Sequence, residues 1–409
     1  MTRLPQNPFV VRREIAYGEP FCDREQEIRT FMESAESDEP VCLLSPRRYG
    51  KSSLVNQVLG RLAEKGWVTL RLDLMTVRSL PGLQEALEGR RLEASSGWTR
   101  VKRRAADAVS RLHPQLHVDP ATGTPTFSVD LSSPRSGEES ALAAALEKMS
   151  SLPASIDKPV CLALDEFQEV TALDPKGRVV GMIRSAFQRR SRGFFPIYLG
   201  SRRHMLKMMF EKEAAPLYRS ARMLELKELQ GDDFANFVVH HFRETTGTVL
   251  PKSIGTATAA LFGGYPHALN LTASRLWTAQ QLAGERSAEF IRSAWKEIVT
   301  TIIQEERAYY QQINRNVSRT AMNVLANVAR RGIVAGPYTA EFARQCRLTP
   351  GQIQTALRLL MKEDKVLETR EGYVVFDPLE ALCLRTEGVA PESLDQELDR
   401  LLEAWAEEE

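Results

Sequence analysis

A buried strand, a short loop and a helix follow one another near the start of the chain, and this order of elements limits the possible folds more than any other feature. Residues 40–44 form a short apolar run, and from Leu54 onward apolar residues recur with the spacing of one helix face. Gly50, Lys51 and Ser52 lie between them. The backbone amides of such a loop and the positive end of the next helix point at one spot, where an anion can bind. The stretch predicts a phosphate-binding loop; the simpler alternative is an ordinary basic turn between a strand and a helix.

The residues of this loop have distinct expected roles. Lys51 would bring a point charge to the β- and γ-phosphates, and the hydroxyl group of Ser52 would bind Mg²⁺. Ser45 stands where such loops usually have Gly; it tolerates the turn less well, but it is small and does not block the pocket. The residues that we expect to contact the nucleotide here are Ser45, Pro46, Arg47, Arg48, Tyr49, Gly50, Lys51, Ser52 and Ser53.

A second apolar run, residues 159–164, ends in two adjacent carboxylates, Asp165 and Glu166. Asp165 at the strand tip can hold the Mg²⁺ ion that Ser52 contacts, and Glu166 can orient and polarise the attacking water. Strands also end in acidic residues simply because they reach solvent there, but this chain contains the Gly-Lys-Ser loop as well. The two stretches together predict a site for ATP and Mg²⁺.

The composition is that of an ordinary globular protein. The chain has 409 residues, enough for two or three domains, with 43% hydrophobic and 26% charged residues. A net charge of +1 implies no overall attraction to nucleic acid, so any such contact must come from a local patch. The five cysteines are scattered without a Cys-x-x-Cys pair, and we find neither a signal peptide nor an apolar run of membrane-spanning length. These observations predict a cytoplasmic protein with no membrane contact.

Helical patterns alternate with apolar runs near residues 41, 68, 160, 196 and 223. This alternation predicts an α/β fold, a P-loop parallel sheet with helices on both faces, in which the nucleotide binds at the carboxyl ends of the strands. Ser201, at the tip of the fourth run, is placed to sense the γ-phosphate, or else it caps the helix that follows. Asp23 is expected to cap the first helix, with Gln26 as its capping-box partner.

Three further regions have recognisable patterns. Residues 113–137 are rich in turn residues and predict a hairpin or excursion, and residues 231–312 are helical only, with a break at Gly263-Gly264. Residues 81–112 are mostly helical, and their basic residues suit a solvated face better than a phosphate-binding one: Arg100, Lys102, Arg103, Arg104 and Arg111.

Residues 313–388 contain three helical segments followed by a short hairpin, the pattern of a winged helix-turn-helix. The third helix has a typical start at Thr349, with Pro350 next and Gln352 three residues on. Residues 391–409 form an acidic amphipathic helix that could pack on the domain, bind a partner or mask a basic surface. The third helix would expose a set that suits a DNA groove, a solvated face or a protein contact: Gln352, Gln354, Thr355, Arg358 and Lys362.

This layout resembles the AAA+-like ATPases that are often called archaeal-type ATPases and grouped with the signal-transducing STAND class. The resemblance covers nearly the whole chain. It implies an ATP-binding core, a helical lid and a C-terminal winged helix, with Asp23, Arg24 and Pro266 near the adenine and Ser201 in the sensor position. The segments that carry it are residues 21–25 (Phe-Cys-Asp-Arg-Glu), 46–52 (Pro-Arg-Arg-Tyr-Gly-Lys-Ser), 164–169 (Leu-Asp-Glu-Phe-Gln-Glu), 200–202 (Gly-Ser-Arg), 216–218 (Pro-Leu-Tyr) and 264–266 (Gly-Tyr-Pro).

Two hypotheses follow for the function. The first is an ATP-hydrolysing switch in which Lys51, Glu166 and Ser201 are the catalytic residues and nucleotide state is coupled to duplex DNA, a protein partner or a second copy of the chain. The second is a DNA- or protein-binding module with a structural nucleotide, ATP or ADP, that is not hydrolysed. The expected parts are a P-loop ATPase core (1–230), a helical lid (231–312), a winged helix-turn-helix (313–388) and an acidic C-terminal helix (389–409).

Overall fold

The computed structural model describes residues 6–11, 13–95, 117–118, 125–126, 135–173 and 177–406. Its strands are β1 (Val41–Leu44), β2 (Val68–Asp73), β3 (His117–Val118), β4 (Pro125–Thr126), β5 (Val160–Asp165), β6 (Phe194–Gly200), β7 (Arg222–Glu225), β8 (Val366–Glu368) and β9 (Tyr373–Val375). Its α-helices are α1 (Glu25–Glu36), α2 (Lys51–Glu64), α3 (Leu80–Ser95), α4 (Arg135–Ser150), α5 (Leu152–Ile156), α6 (Val170–Leu173), α7 (Arg178–Gln188), α8 (Arg203–Phe210), α9 (Gly231–Thr246), α10 (Lys252–Leu261), α11 (Pro266–Ala283), α12 (Ala288–Ile313), α13 (Arg319–Arg331), α14 (Ala340–Cys346), α15 (Pro350–Lys362), α16 (Pro378–Arg385) and α17 (Pro391–Ala406).

Within the described part of the chain, five strands form one parallel sheet in the order β2-β5-β6-β1-β7. Because all of them run the same way, their carboxyl ends meet at one edge. The register pairs Asp73 of β2 with Asp165 of β5, and Leu44 of β1 with Gly200 of β6. The α/β fold with a parallel sheet is therefore confirmed, and the loops after β1, β5 and β6 are neighbours in space.

The three central strands, β1, β5 and β6, are buried along their whole length. Val41 and Leu43 of β1 pack on the side of α1 and α2, whereas Cys42 and Leu44 pack on the opposite side with α3, α4 and α7. A strand covered by helices on both faces needs apolar residues at every position rather than at alternate ones. This explains the continuous apolar runs that precede the loop and Asp165.

Helices α9 to α12 form the helical-only region that the sequence predicts, and its break lies at Gly263-Gly264 between α10 and α11. The acidic helix α17 packs against α10, and its leucines, among them Leu398, join the hydrophobic core of this region. Lys296 of α12 forms ion pairs with Asp395 and Asp399 of α17, each at 2.9 Å. Of the three alternatives considered for this helix, the structure shows packing on the domain.

Helices α13, α14 and α15 and the antiparallel β8–β9 pair share a separate hydrophobic core that includes Leu357. Helix α15 begins with a capping box: the Thr349 hydroxyl accepts from the amide of Gln352, and the Gln352 side chain accepts from the amide of Thr349. An isolated bridge between Val334 and Tyr373 extends the hairpin. The predicted winged helix-turn-helix is confirmed.

The start of the first helix differs from the prediction, and the assignment of Asp23 as its cap is wrong. The N-cap of α1 is Arg24, and no side chain caps this end. Asp23 and Arg24 both have left-handed backbone, with φ of 56° and 79°, whereas a capping side chain acts from an extended residue. The buried Arg24 guanidinium instead donates to the Lys227 carbonyl at 2.6 Å and to Glu27 at 3.0 Å.

Two predictions fall largely on residues outside the described ones. The helix expected over residues 81–112 is described as α3, as far as Ser95, and the hairpin or excursion over 113–137 is described only as the β3–β4 pair and the first residues of α4. None of the described helices is long and apolar enough to cross a bilayer. The basic residues of the 81–112 prediction lie outside the described part: Arg100, Lys102, Arg103, Arg104 and Arg111.

Gly264 and Gly284 offer a matched test of packing in the helical region. Both have a φ of +67°, but a Cβ at Gly264 would collide with the Leu229 carbonyl oxygen and lie 2.8 Å from Glu228 Cβ, whereas a Cβ at Gly284 meets nothing within 4 Å. Gly284→Ala should cost about 1 kcal/mol, from the left-handed backbone alone. Gly264→Ala should cost at least about 2 kcal/mol more, because the backbone must also move. Urea unfolding of both variants measures the difference, and equal midpoints would contradict the close approach at Leu229.

Candidate nucleotide-binding site

A cavity of about 590 Å³ opens at the carboxyl edge of the sheet. The loop between β1 and α2 contributes to its wall, together with the N-terminal segment and the start of α11. The lining comprises residues 46–53, Val10, Val11, Arg13, Glu14, Ile15, Phe21, Cys22, Arg24, Met75, Glu166, Ser201, Leu229, Pro266, His267 and Asn270. A cavity lined by both charged and apolar side chains suits a ligand that has both a phosphate chain and an aromatic base.

The loop presents backbone amides to the cavity because α2 begins directly at Lys51. Gly50 is the N-cap of α2, with a left-handed φ of 85°, a conformation that glycine adopts without steric cost. Arg48 is left-handed as well, with a φ of 64°. The first amides of a helix have no carbonyl partner within that helix, so those of α2 are available to an anion in the cavity.

Ser45 is the position at which the loop departs from a glycine-based pattern. Its side chain is fully buried, and its hydroxyl donates to the Pro46 carbonyl at 2.9 Å. The hydroxyl is satisfied inside the loop, and Ser45 does not line the cavity. Asp23 does not line it either, whereas the other predicted nucleotide contacts do.

Lys51 connects the loop to the end of β5. Its buried Nζ donates to Asp165 Oδ1 at 2.8 Å and to Glu166 Oε1 at 3.0 Å. Burial by itself raises the pKa of each carboxyl, but the charge of Lys51 and the hydrogen bonds to these groups outweigh it, so both pKa values lie below their usual range. Both carboxylates are therefore ionised at neutral pH and are neutralised in part by one lysine.

Glu166 is held by side chains from three elements. Besides Lys51, the amide group of Gln168 donates to Glu166 Oε2 at 2.6 Å, and the Ser201 hydroxyl donates to the same oxygen at 3.0 Å. The alternative role for Ser201, as a helix cap, does not apply, since the N-cap of α8 is Arg202 and no side chain caps it. Ser201 thus lies at the tip of β6 beside Glu166 and lines the cavity.

Ser52 and Asp165 offer oxygen atoms of the kind that Mg²⁺ binds. Ser52 is the second residue of α2 and lines the cavity, and Asp165 ends β5. Among the described residues, no group of three or more His, Cys, Asp and Glu side chains is arranged to hold a metal. Mg²⁺ at nucleotide sites usually keeps several waters and takes one or two carboxylates plus phosphate oxygens, so one hydroxyl and one carboxylate fit it.

Arg71 of β2 is a site residue that the sequence analysis missed. Its guanidinium donates to Asp165 Oδ2 at 2.5 Å and forms a two-pronged pair with Glu14, at 2.6 and 2.9 Å. The hydrogen bonds between Glu14 and Arg71 are the main cause of a raised pKa for Arg71 and a lowered pKa for Glu14. The sequence contains one indication of this role, since Arg71 is a charged residue inside a mainly apolar strand, two residues before the strand ends.

Glu14 belongs to residues 13–19, which we call the N-terminal arm and which lie along α2. The amide of Ile15 donates to Ser53 Oγ at 3.0 Å, and the Gln57 side chain donates to the Ala16 carbonyl at 2.9 Å. The Asn56 side chain donates both to the Ile15 carbonyl and to Glu14, at 3.1 and 3.2 Å. No pattern in the sequence indicates a role for Glu14, because tertiary contacts alone set the path of the arm.

His267 was also missed, although it directly follows Pro266 in the lining of the cavity. Burial, reinforced by the charge of Arg48, lowers the pKa of His267 to about 4. The ring is therefore neutral at pH 7 and offers one donor and one acceptor. His267 and Asn270 are thus polar residues in the lining of the cavity beside Pro266.

A second cavity, of about 1020 Å³, separates the loop from the winged helix. Arg47, Arg48 and Ser201 line both cavities. Arg358 and Lys362, in the C-terminal half of α15, line the second one from the opposite side. All five residues predicted on this face of α15 are exposed, but Arg358 and Lys362 lie across the second cavity from the loop, whereas the other three lie closer to the start of the helix: Gln352, Gln354 and Thr355.

Comparison with known proteins supports this architecture. A family model described as "Probable winged helix domain" matches residues 308–386. A Walker-type ATPase of Pyrococcus abyssi superposes with a TM-score of 0.61 at 18% identity, over 92% of this chain and 99% of that one. The chain has the fold of archaeal-type AAA+ ATPases with a C-terminal winged helix. The Aeropyrum pernix ORC2 protein, in ADPNP–ADP complexes, superposes with a TM-score of 0.56 at 13% identity over 98% of each chain. No curated protein sequence matches the chain.

The lowered pKa of His267 predicts a specific pH dependence. Between the ordinary histidine pKa of 6.5 and about 4, the unfolded chain binds a proton at this residue that the folded chain does not, so acidification through this window destabilises the fold. Acidification should therefore lower the free energy of unfolding by roughly 1–2 kcal/mol less in His267→Gln than in the wild type, a range that allows for solvent screening of the ring. Urea unfolding of both proteins at pH 7.5 and 4.5 measures it. A loss of the same size in both would show that His267 titrates normally.

Proposed function

We propose that this protein binds and hydrolyses ATP in a Mg²⁺-dependent reaction and that its nucleotide state controls how the winged helix meets DNA or a protein. The observation that carries the proposal is Lys51, whose Nζ lies 2.8 Å from Asp165 and 3.0 Å from Glu166 in the first turn of α2. Lys51, the ionised Glu166 and the start of α2 line one cavity, and Asp165 contacts the same lysine; these are the groups that phosphoryl transfer from ATP requires. The Walker-type ATPase of P. abyssi and the nucleotide complexes of A. pernix ORC2 are consistent with it.

Each residue has a defined task in this proposal. The amides of α2 and Lys51 bind the β- and γ-phosphates, and Lys51 leaves the carboxylates in order to do so. Ser52 and Asp165 would hold Mg²⁺, which would supply positive charge to the phosphate oxygens. Glu166 then has Oε1 free to orient and polarise the attacking water, while Gln168 and Ser201 keep Oε2 in place.

The binding of ATP and its hydrolysis are separable in two variants. Lys51→Ala should abolish measurable nucleotide binding, because the phosphate charge loses its partner. Glu166→Gln should bind ATP normally but turn it over at least about 100-fold more slowly, since the amide cannot accept a proton from water. Glu169→Gln, the same chemical change at a residue that does not line the cavity, is the matched control. Equal hydrolysis by Glu166→Gln and wild type would remove Glu166 from its proposed role.

A second candidate function, a structural nucleotide without turnover, is favoured by one observation. Both carboxylate oxygens of Glu166 already have partners, and Arg71 and Lys51 take both oxygens of Asp165. If these contacts persist with nucleotide bound, neither carboxylate can act on water or metal. Protein that purifies with ADP and shows no turnover with excess Mg²⁺-ATP would favour this candidate.

We propose the domain division given by the sequence, namely a core over 1–230, a lid over 231–312, a winged helix over 313–388 and a C-terminal helix over 389–409. Two features support it. Helices α13 to α15 and the β8–β9 pair have their own hydrophobic core, whereas the lid shares one continuous core with one face of the sheet, and α16 adds Leu379, Leu382 and Cys383 to that shared core. The part with its own core, α13 to α15 and the hairpin, is therefore the part suited to respond to nucleotide, and α16 connects it to the lid.

Arg48 provides a physical connection between the loop and the winged helix. Its guanidinium lies 3.5 Å from Glu306 and 5.0 Å from the ring of Tyr309, both on α12. The neighbouring Tyr310 hydroxyl donates to Asp377 at 2.7 Å, and Asp377 accepts from the first amides of α16. A phosphate in the loop attracts Arg48 away from α12, which releases one end of this chain of contacts. The winged helix can then move relative to the loop, and the exposed Arg358 and Lys362 of α15 move with it.

This coupling predicts nucleotide-dependent binding of duplex DNA. The double variant Arg358→Glu/Lys362→Glu should bind random-sequence duplex at least about tenfold more weakly, with a salt slope reduced by about two. The matched control is Arg286→Glu/Arg292→Glu, which makes the same charge change at exposed residues outside the winged helix. Fluorescence anisotropy in the Glu166→Gln background, with and without ATP, measures both effects. Unchanged DNA binding in the first double variant would direct the search to a protein partner of the winged helix.

A further inference from the structure

We propose that Arg71 competes with Mg²⁺ for Asp165 Oδ2. When Asp165 binds the metal, Arg71 stays paired with a second carboxylate, Glu14 on the N-terminal arm. Arg71 is then a positioning residue that sets how much Mg²⁺ the nucleotide site needs. The inference rests on the proposed function, because it takes Asp165 as the carboxylate that holds the metal.

The contacts of Asp165 are the first step of the argument. Oδ1 accepts from Lys51 at 2.8 Å and from the amide of Glu166 at 2.9 Å, and Oδ2 accepts from Arg71 at 2.5 Å. The side chain is 8% exposed, so no free oxygen faces the cavity in this state. Nucleotide phosphates can draw Lys51 away, but they offer nothing that directly frees Oδ2. Arg71 must leave Asp165 before that oxygen can turn to a metal.

The second step is the position of Glu14. Two of the three charged contacts of Arg71 go to this residue, at 2.6 and 2.9 Å, so its guanidinium remains paired after it leaves Asp165. Arginine suits this exchange, because its planar fork can bind two carboxylates at once and one of them alone. Asn56 fixes Glu14 at 3.2 Å, and Ile15 is tied to Ser53 of α2 at 3.0 Å. The second carboxylate is thus anchored to the same helix that begins the phosphate loop.

The third step is the sign of each effect. If Arg71 competes with Mg²⁺ for Asp165, removal of Arg71 makes Mg²⁺ binding easier. Removal of the Glu14 charge makes it harder, because Arg71 then has Asp165 as its sole carboxylate partner. Glu14 could instead act by positioning the Ser52 hydroxyl, to which it is hydrogen-bonded. In that case the loss of Glu14 would weaken Mg²⁺ binding whether or not Arg71 were present. The double variant separates these two explanations.

The experiment measures the Mg²⁺ concentration that half-saturates the effect of Mg²⁺ on ADP affinity, by titration calorimetry of the full-length chain from EDTA to excess Mg²⁺. Arg71→Ala should lower this concentration about three- to tenfold, and Glu14→Gln should raise it by a similar factor. Glu14→Gln/Arg71→Ala should behave like Arg71→Ala. Arg90→Ala, which removes an exposed ion pair with Glu93 on α3, should change nothing.

Two further measurements keep the test decisive. Arg71→Lys retains a charge but not the fork, so it should fall between wild type and Arg71→Ala and serves if the alanine variant folds poorly. Hydrogen exchange at the amide of Ile15 shows whether the arm stays on α2 in Glu14→Gln. A double variant that resembles Glu14→Gln, or Mg²⁺ dependence unchanged in Arg71→Ala while ADP still binds, would overturn this inference alone. Wild-type protein that binds no ADP at any Mg²⁺ concentration would overturn the proposed function itself.

Discussion

The parallel direction of the central strands is the constraint on which the rest of this molecule depends. Because β1, β5 and β6 run the same way, the residues that follow them, including Ser45, Glu166 and Ser201, emerge at one edge of the sheet. Helices on both faces bury the strands completely, so polar groups can appear only where the strands end. The part of the candidate site that follows the strands comes from that arrangement, whereas Glu14 and His267 are brought to it by the N-terminal arm and by α11.

The electrostatics of the site depend on the exchange of partners rather than on fixed pairs. Lys51 and Arg71 hold Asp165 from two sides, and both have other partners within reach, namely the phosphates of a ligand and Glu14. Buried carboxylates need such cations when the cavity is empty, because an unpaired charge in a low-dielectric region is costly. A nucleotide and its metal must displace these same contacts. Contacts that stabilise the ligand-free protein therefore lower its affinity for the nucleotide and for Mg²⁺.

The second cavity lies between the phosphate loop and the winged helix. The loop arginines Arg47 and Arg48 lie on one side of it, and Arg358 and Lys362 lie on the other. Acidic residues, among them Glu363 and Asp364, line the same cavity, so a phosphate in the loop would change a balance between charges of both signs. This arrangement is consistent with a winged helix whose position responds to phosphate charge in the loop, and the Arg48 contacts to α12 give that response a path.

The sequence by itself determined the parallel α/β fold, the Gly50-Lys51-Ser52 loop, the Asp165-Glu166 pair and the winged helix, because each depends on local spacing and on apolar periodicity. It misplaced the cap of α1 at Asp23, since a left-handed backbone at residues 23 and 24 is not visible in residue types. Only the tertiary structure decided that Arg71 pairs with both Glu14 and Asp165, that burial lowers the pKa of His267, and that Arg358 lies across a cavity from the loop. Those features depend on how segments far apart in the chain pack together, and burial and pairing of charge across such contacts leave no periodic signal in the sequence.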